Sequence, residues 1–130
     1  MELEILWQRL SVDGGTCRRC GDTGQAVREA AAELGRLLAP RGMAVRLEER
    51  ALPPFAVAES NRVFLGGRAL EDILGAEVLM SCCRSCGELL GAVTDCLALR
   101  LDGRVYESLP AELVLRAGLL VAEQLQSPAA

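Results

Sequence analysis

From residue 3 to residue 10 apolar side chains fall on both parities: Leu3, Ile5 and Trp7 on one, Leu6 and Leu10 on the other. A strand whose two faces both meet apolar layers reads this way. Asp13-Gly14-Gly15 then signals a turn. Beyond it Val27, Ala30, Ala31, Leu34, Leu37 and Leu38 recur at the spacing of one helical face, predicting a helix that ends near Leu38. Pro40 and Gly42 supply the stop. The start has two readings. Asp22 with Gln25 resembles a capping box, which puts the first turn after Cys20, whereas a start at Cys17 puts the cysteines inside it. Met43, Val45 and Leu47 alternate with Ala44, Arg46 and Glu48, the pattern of a half-buried strand. Strand, helix and strand in this order predict a crossover joining parallel strands. Pro53-Pro54 breaks the chain, and residues 55–60 are too short to assign.

Two later segments share one plan. Val63 to Ile73 and Leu99 to Leu109 each read as an apolar strand, a turn, an arginine, a second short strand and an acidic lead into a helix. Gly66-Gly67 and Asp102-Gly103 suit type I′ hairpin turns, because Gly and Asp accept positive φ. We read this as a recurring local solution rather than an internal duplication. Ser108 and Pro110 suit the start of a final helix, with Leu113, Ala117, Leu120, Val121 and Leu125 as its expected buried stripe. Residues 76–96, between the hairpins, read as an inserted Cys-rich segment within a single domain spanning 1–130.

Composition narrows the class. The chain has 130 residues, enough for one domain with its own core, and 51% of them are hydrophobic. Trp7, Phe55, Phe64 and Tyr106 are its aromatics, so Leu, Val and Ala must build that core. The net charge of −4, with no basic block, speaks against nucleic acid as a partner. The acidic start Met1-Glu2-Leu3-Glu4 lacks the order of a signal peptide, and Leu113 to Ala122 is too short to span a bilayer. The expectation is a cytoplasmic protein without membrane contact. Clustered cysteines in that compartment point to catalysis or metal binding more than to structural disulfides.

The six cysteines form two groups, and there is no histidine. Cys17 and Cys20 make a C-x-x-C between a strand and a helix, the arrangement used in dithiol–disulfide exchange. A helix N-terminus favours the thiolate, and Arg18 and Arg19 add positive charge beside it. Cys17, expected to be the more exposed, is assigned as nucleophile, and Cys20 as the resolving thiol. The other reading makes the pair half of a zinc or iron–sulfur site.

The second group is Cys82, Cys83, Cys86 and Cys96, with Arg84 between the two cysteines of a further C-x-x-C. As a redox pair, Cys83 and Cys86 would relay electrons to or from Cys17 and Cys20, with Arg84 acidifying them. As a metal site, Cys83, Cys86 and Cys96 would bind zinc, an iron–sulfur cluster or a soft ion such as copper, mercury or arsenite. Asp95 or a water could then fill the fourth place. Cys82 is the poorest ligand, because neighbouring residues tend to point apart. In a third reading Cys82 and Cys96 are small core residues.

On Leu3-Glu4-Ile5-Leu6-Trp7-Gln8, Thr16-Cys17-Arg18-Arg19-Cys20, the helix, and Glu59 to Gly67, the chain resembles the thioredoxin or glutaredoxin fold. The whole chain is similar to a family of small bacterial and archaeal thioredoxin-like proteins of unknown function, which shares the later C-x-x-C and the hairpin ahead of a Pro-containing helix start. The resemblance implies an α/β fold: a thioredoxin-like mixed sheet flanked by helices on both faces, with the Cys-rich segment and a second C-terminal hairpin appended. Two departures stand out. Ser60-Asn61 occupies the place where thioredoxins carry a cis-proline, and Arg18-Arg19 replaces Gly-Pro. Both weigh against general protein-disulfide reduction and leave a small thiol or a single thiol/disulfide partner protein equally open. The leading expectation is a thiol–disulfide redox protein needing no cofactor. The alternative is a thiolate metal-binding protein without turnover.

Overall fold

The computed structural model describes residues 1–11, 18–53, 56, 60–82 and 95–126, with backbone alone for residues 18, 19, 81, 82, 95 and 96. Strand β1 (Glu2–Leu10) leads to helix α1 (Arg18–Leu38) and a 3-10 turn at Ala39–Arg41, then strand β2 (Ala44–Leu52). The hairpin β3 (Arg62–Leu65) and β4 (Arg68–Ala69) follows, then the short helix α2 (Leu70–Leu74). Strands β5 (Glu77–Cys82), β6 (Asp95–Leu101) and β7 (Arg104–Tyr106) precede helix α3 (Ala111–Gln126). The architecture is mixed α/β with two sheets.

The first sheet has four strands in the order β2-β1-β3-β4. β1 runs parallel to β2, in register from Glu2 opposite Ala44 to Leu10 opposite Leu52. β3 is antiparallel to β1 and to β4. Both residues of each hairpin turn have positive φ: Gly66 and Gly67 at 60° and 81°, Asp102 and Gly103 at 52° and 79°. This is the type I′ signature the sequence predicts.

Leu3, Ile5 and Trp7 of β1 and Val63 and Leu65 of β3 are buried under Val27, Ala30, Leu34 and Leu38 of α1 and Val114, Ala117 and Val121 of α3. Each Leu, Ile or Val among them taken fully out of water contributes about 1.5–3 kcal/mol. Both helices cover this one face and lie against each other, with Leu34 over Gly118. Of the two apolar residues of the other parity, Leu10 is fully buried and Leu6 partly so. Among the described residues the opposite face carries Glu4, Leu6, Gln8, Arg50 and Phe64, which with Gly67 line an open groove of about 190 Å³.

The later region also differs from a simple appended hairpin. The ends of the Cys-rich segment are themselves strands, and β5, β6 and β7 form a three-stranded antiparallel sheet in that order. Leu97 and Leu99 of β6 join the same buried cluster as the α1 stripe, so the two sheets share a core. On α3 the buried residues are Leu113, Val114, Ala117, Gly118, Val121 and Ala122. Leu120 and Leu125, expected in the stripe, are exposed. The helix turns its small residues toward α1 because only they allow the close approach to Leu34.

Candidate functional site

Of the two starts open to α1, the structure takes the earlier. The helix begins at Arg18, so Cys20 lies in its first turn, and Asp22 is a helical, exposed residue rather than a cap. Cys20 is fully buried and opens the stripe that continues through Thr23, Val27, Ala30, Leu34 and Leu38. Cys17 lies outside the described residues, immediately before the helix. For Arg18 and Arg19 the structure describes the backbone alone, at the helix start.

Thr23, one turn beyond Cys20, is polar yet fully buried. Its Oγ1 accepts a hydrogen bond of 3.0 Å from the backbone N–H of Leu109, between β7 and α3. A polar side chain on a helix core stripe needs such a partner, and this one fastens the cysteine-bearing end of α1 to the segment leaving the second sheet.

Ser60 and Asn61 stand at the start of β3 and are buried. Neither Ser60 nor Asn61 follows a cis peptide bond, and Asn61 has φ of 61°. Asparagine is among the few non-glycine residues that accept this left-handed backbone. Its N–H donates to the carbonyl of Gln8 on β1 at 2.9 Å. Its Nδ2 donates to the carbonyl of Glu107 at 2.8 Å and, at 3.5 Å, to that of Leu97. Leu97 directly follows Cys96. The end of β1, the start of β3, the Cys96 end of β6 and the segment after β7 therefore meet at Asn61, and that last segment is tied in turn to Thr23 of α1.

The second cysteine group is only partly described. Cys83 and Cys86, with Arg84 between them, lie outside the described residues. In the β5–β6 ladder Cys82 is paired with Asp95, and Cys96 with Ser81. These are successive rungs, and successive rungs belong to opposite faces of a pleated sheet. The Cys82–Asp95 rung shares parity with the buried Leu97 and Leu99, whereas the Cys96–Ser81 rung shares it with Ala98. Among the described residues no three Cys, Asp or Glu side chains gather as a metal ion would need.

Beside Leu109 is a cleft of about 450 Å³, between Asp22 and Ala26 of α1, Arg104 and Tyr106 of β7, and Pro110 and Glu112 at the head of α3. Its volume is in the range of small-molecule sites. The Arg104 guanidinium lies 5.4 Å from the Tyr106 ring centre.

The contacts of Thr23 and Asn61 with distant segments are not expected from the sequence. The signal for Thr23 was visible as a hydroxyl placed on the apolar stripe between Cys20 and Val27. For Asn61 it was an asparagine, a residue type that accepts positive φ, directly before a strand.

A family model described as a domain of unknown function (DUF2703) matches residues 3–118. The chain belongs to the DUF2703 family. An uncharacterized protein of Archaeoglobus fulgidus is 40% identical to it over 119 residues, covering 88% of this chain and 83% of that protein. No solved structure matches. The match to the family takes in every element from β1 to the first half of α3, and with them Cys17, Cys20, Cys82, Cys83, Cys86 and Cys96. No described helix is long and apolar enough to cross a membrane.

Proposed function

We propose that this protein is a cytoplasmic thiol–disulfide redox protein of thioredoxin-like architecture. Cys17 is the attacking thiolate, Cys20 resolves the mixed disulfide, and Cys83 and Cys86 form a second dithiol that exchanges with the first. The observation that carries the reading is the position of Cys20. It is buried at the root of the α1 core stripe, in the first turn of a helix that starts at Arg18. The C-x-x-C thus straddles a helix start, where unpaired amides and the helix dipole favour a thiolate. The β2-β1-β3-β4 order, with one parallel pair and a hairpin, is in keeping with a thioredoxin-type sheet. The partner is a small disulfide or a single thiol/disulfide protein, because the Asn61 backbone is not the cis-proline platform of the general reductases.

The test is reduction of a small disulfide by the reduced protein. Cys17→Ser is expected to abolish it, and Cys20→Ser to accumulate a mixed disulfide on Cys17. Full activity in Cys17→Ser would sink the assignment. Native mass spectrometry of anaerobically purified protein separates the alternative, a thiolate metal site. A metal adduct lost on denaturation, with all six thiols free, would favour metal binding, whereas loss of mass equal to one or two disulfides after mild oxidation supports exchange. Such a site would centre on Cys83 and Cys86, since Cys82 and Cys96 fall on opposite-face rungs.

A further inference from the structure

We propose that the cleft between α1, β7 and the head of α3 binds a free amino acid with a basic side chain, of the class of lysine and ornithine. Three ionised side chains line it: Asp22 of α1, Arg104 of β7, and Glu112 in the first turn of α3. Between them lie the half-buried Ala26, Tyr106 and Pro110. The cleft is thus a concave surface with an apolar floor and a few converging charges, the composition of a small-molecule site.

These three charges are not neutralised within the protein. Among the described residues Arg28, Arg36, Arg46, Arg62, Arg100 and Arg116 are each paired with a carboxylate. Asp22, Arg104 and Glu112 enter no ion pair with a described residue, although charges of both signs line one cleft. The Arg104 guanidinium is instead set against the Tyr106 ring, 5.4 Å from its centre.

Charge matching selects the ligand. Two carboxylates and one guanidinium are complemented by two cationic groups and one anionic group. A diamine sets nothing against Arg104. A neutral amino acid leaves one carboxylate unanswered, and a phosphate is repelled by both. A basic amino acid carries all three groups on a short hydrocarbon stem, which Ala26, Pro110 and the Tyr106 ring can cover. Its carboxylate goes to Arg104, whose planar fork holds such a group with two parallel N–H bonds. Its two ammonium groups go to Asp22 and Glu112. No thiol takes part, so this site stands apart from the redox reading.

The experiment titrates the reduced full-length protein with L-lysine, by calorimetry and by the ring-proton NMR signals of Tyr106. Tyr106 is the chain's single tyrosine, so its signals tie binding to the cleft. Saturable binding with a Kd on the order of 1 mM or tighter is expected. Cadaverine, L-norleucine and Nα-acetyl-L-lysine each lack one of the three charges and should bind about fivefold more weakly or worse. L-lysine should lose affinity similarly with Arg104→Gln, Asp22→Asn and Glu112→Gln. These side chains are exposed, so the variants should unfold at the parent's urea midpoint. Arg104→Gln should leave cadaverine binding no weaker, because that ligand has no carboxylate to lose. Absence of a saturable Tyr106 shift with L-lysine overturns the proposal, as does equal affinity for cadaverine or L-norleucine. Nα-acetyl-L-lysine binding as tightly as L-lysine overturns the free amino acid in favour of a peptide carboxyl terminus.

Discussion

Trp7 lies flat against the backbone of α1 at Gly24: a β-carbon there would overlap the indole at Cη2 and stand 2.7 Å from Cζ3. The first strand and first helix thus meet through an aromatic ring and a missing side chain. The Arg28 guanidinium lies 5.4 Å from the ring centre and is held by Glu49 of β2 at 2.8 Å. Gly24→Ala should gain helix propensity but destabilise the fold by about 1–3 kcal/mol through overpacking. Gly35, in the same helix, has nothing within 4 Å of its missing β-carbon. Gly35→Ala should therefore stabilise by up to about 1 kcal/mol. Urea denaturation of both variants checks the pair, and equal effects in the same direction would contradict the Trp7 contact.

Arg62 and Glu71 form a 2.8 Å ion pair with side chains 24% and 5% exposed. The pair ties β3 to α2, and the Arg62 guanidinium also lies 5.0 Å from the Phe64 ring centre. Glu71→Gln should cost about 1–3 kcal/mol, between the ~0–1 of exposed pairs and the ~3–5 of fully buried ones. The thermal midpoint reports it. A change no larger than that of Glu77→Gln, whose partner Arg100 is half exposed, would show that burial adds nothing here.

Arg18 and Arg19 sit at the start of α1, where the helix dipole already favours a thiolate. Replacing both by Glu should raise the pKa of Cys17 and slow its alkylation near neutral pH. Iodoacetamide rates measured against pH give the result. Profiles that superimpose would remove the arginines from the activation argument.

Chelation distinguishes the two thiol chemistries through stability. A ligand bound only by the native state raises the melting temperature, so its removal must lower it. For the redox reading, a strong thiol-competent chelator should leave the midpoint of the reduced protein unchanged. A fall of several degrees together with newly titratable thiols would transfer the function to metal binding.

The α1 stripe was legible because its polar and apolar residues alternate cleanly, and every expected stripe position except Leu37 is at least half buried. The final helix was less legible. Apolar residues surround most of α3, so periodicity could not choose between Leu120 and Gly118 as the inward residue. Packing against Leu34 made the choice. The second sheet was half legible: its hairpin turn follows from Asp102-Gly103, but β5 is paired across the Cys-rich segment, a contact that no local pattern encodes.

Local chemistry in the chain determined the hairpin turns at Gly66-Gly67 and Asp102-Gly103, the crossover unit, the helix stop at Pro40 and Gly42, and the two cysteine groups, because each depends on residues close in sequence, whereas the turn expected at Asp13-Gly14-Gly15 lies outside the described residues. Only the tertiary structure decided that both helices share one sheet face, that Cys20 is buried, and that Cys82 and Cys96 occupy opposite-face rungs. It also decided that Asn61 joins Gln8, Leu97 and Glu107. These are long-range pairings set by how apolar faces are buried together, and a buried carboxamide acquires its partners only when that burial brings distant carbonyls to it.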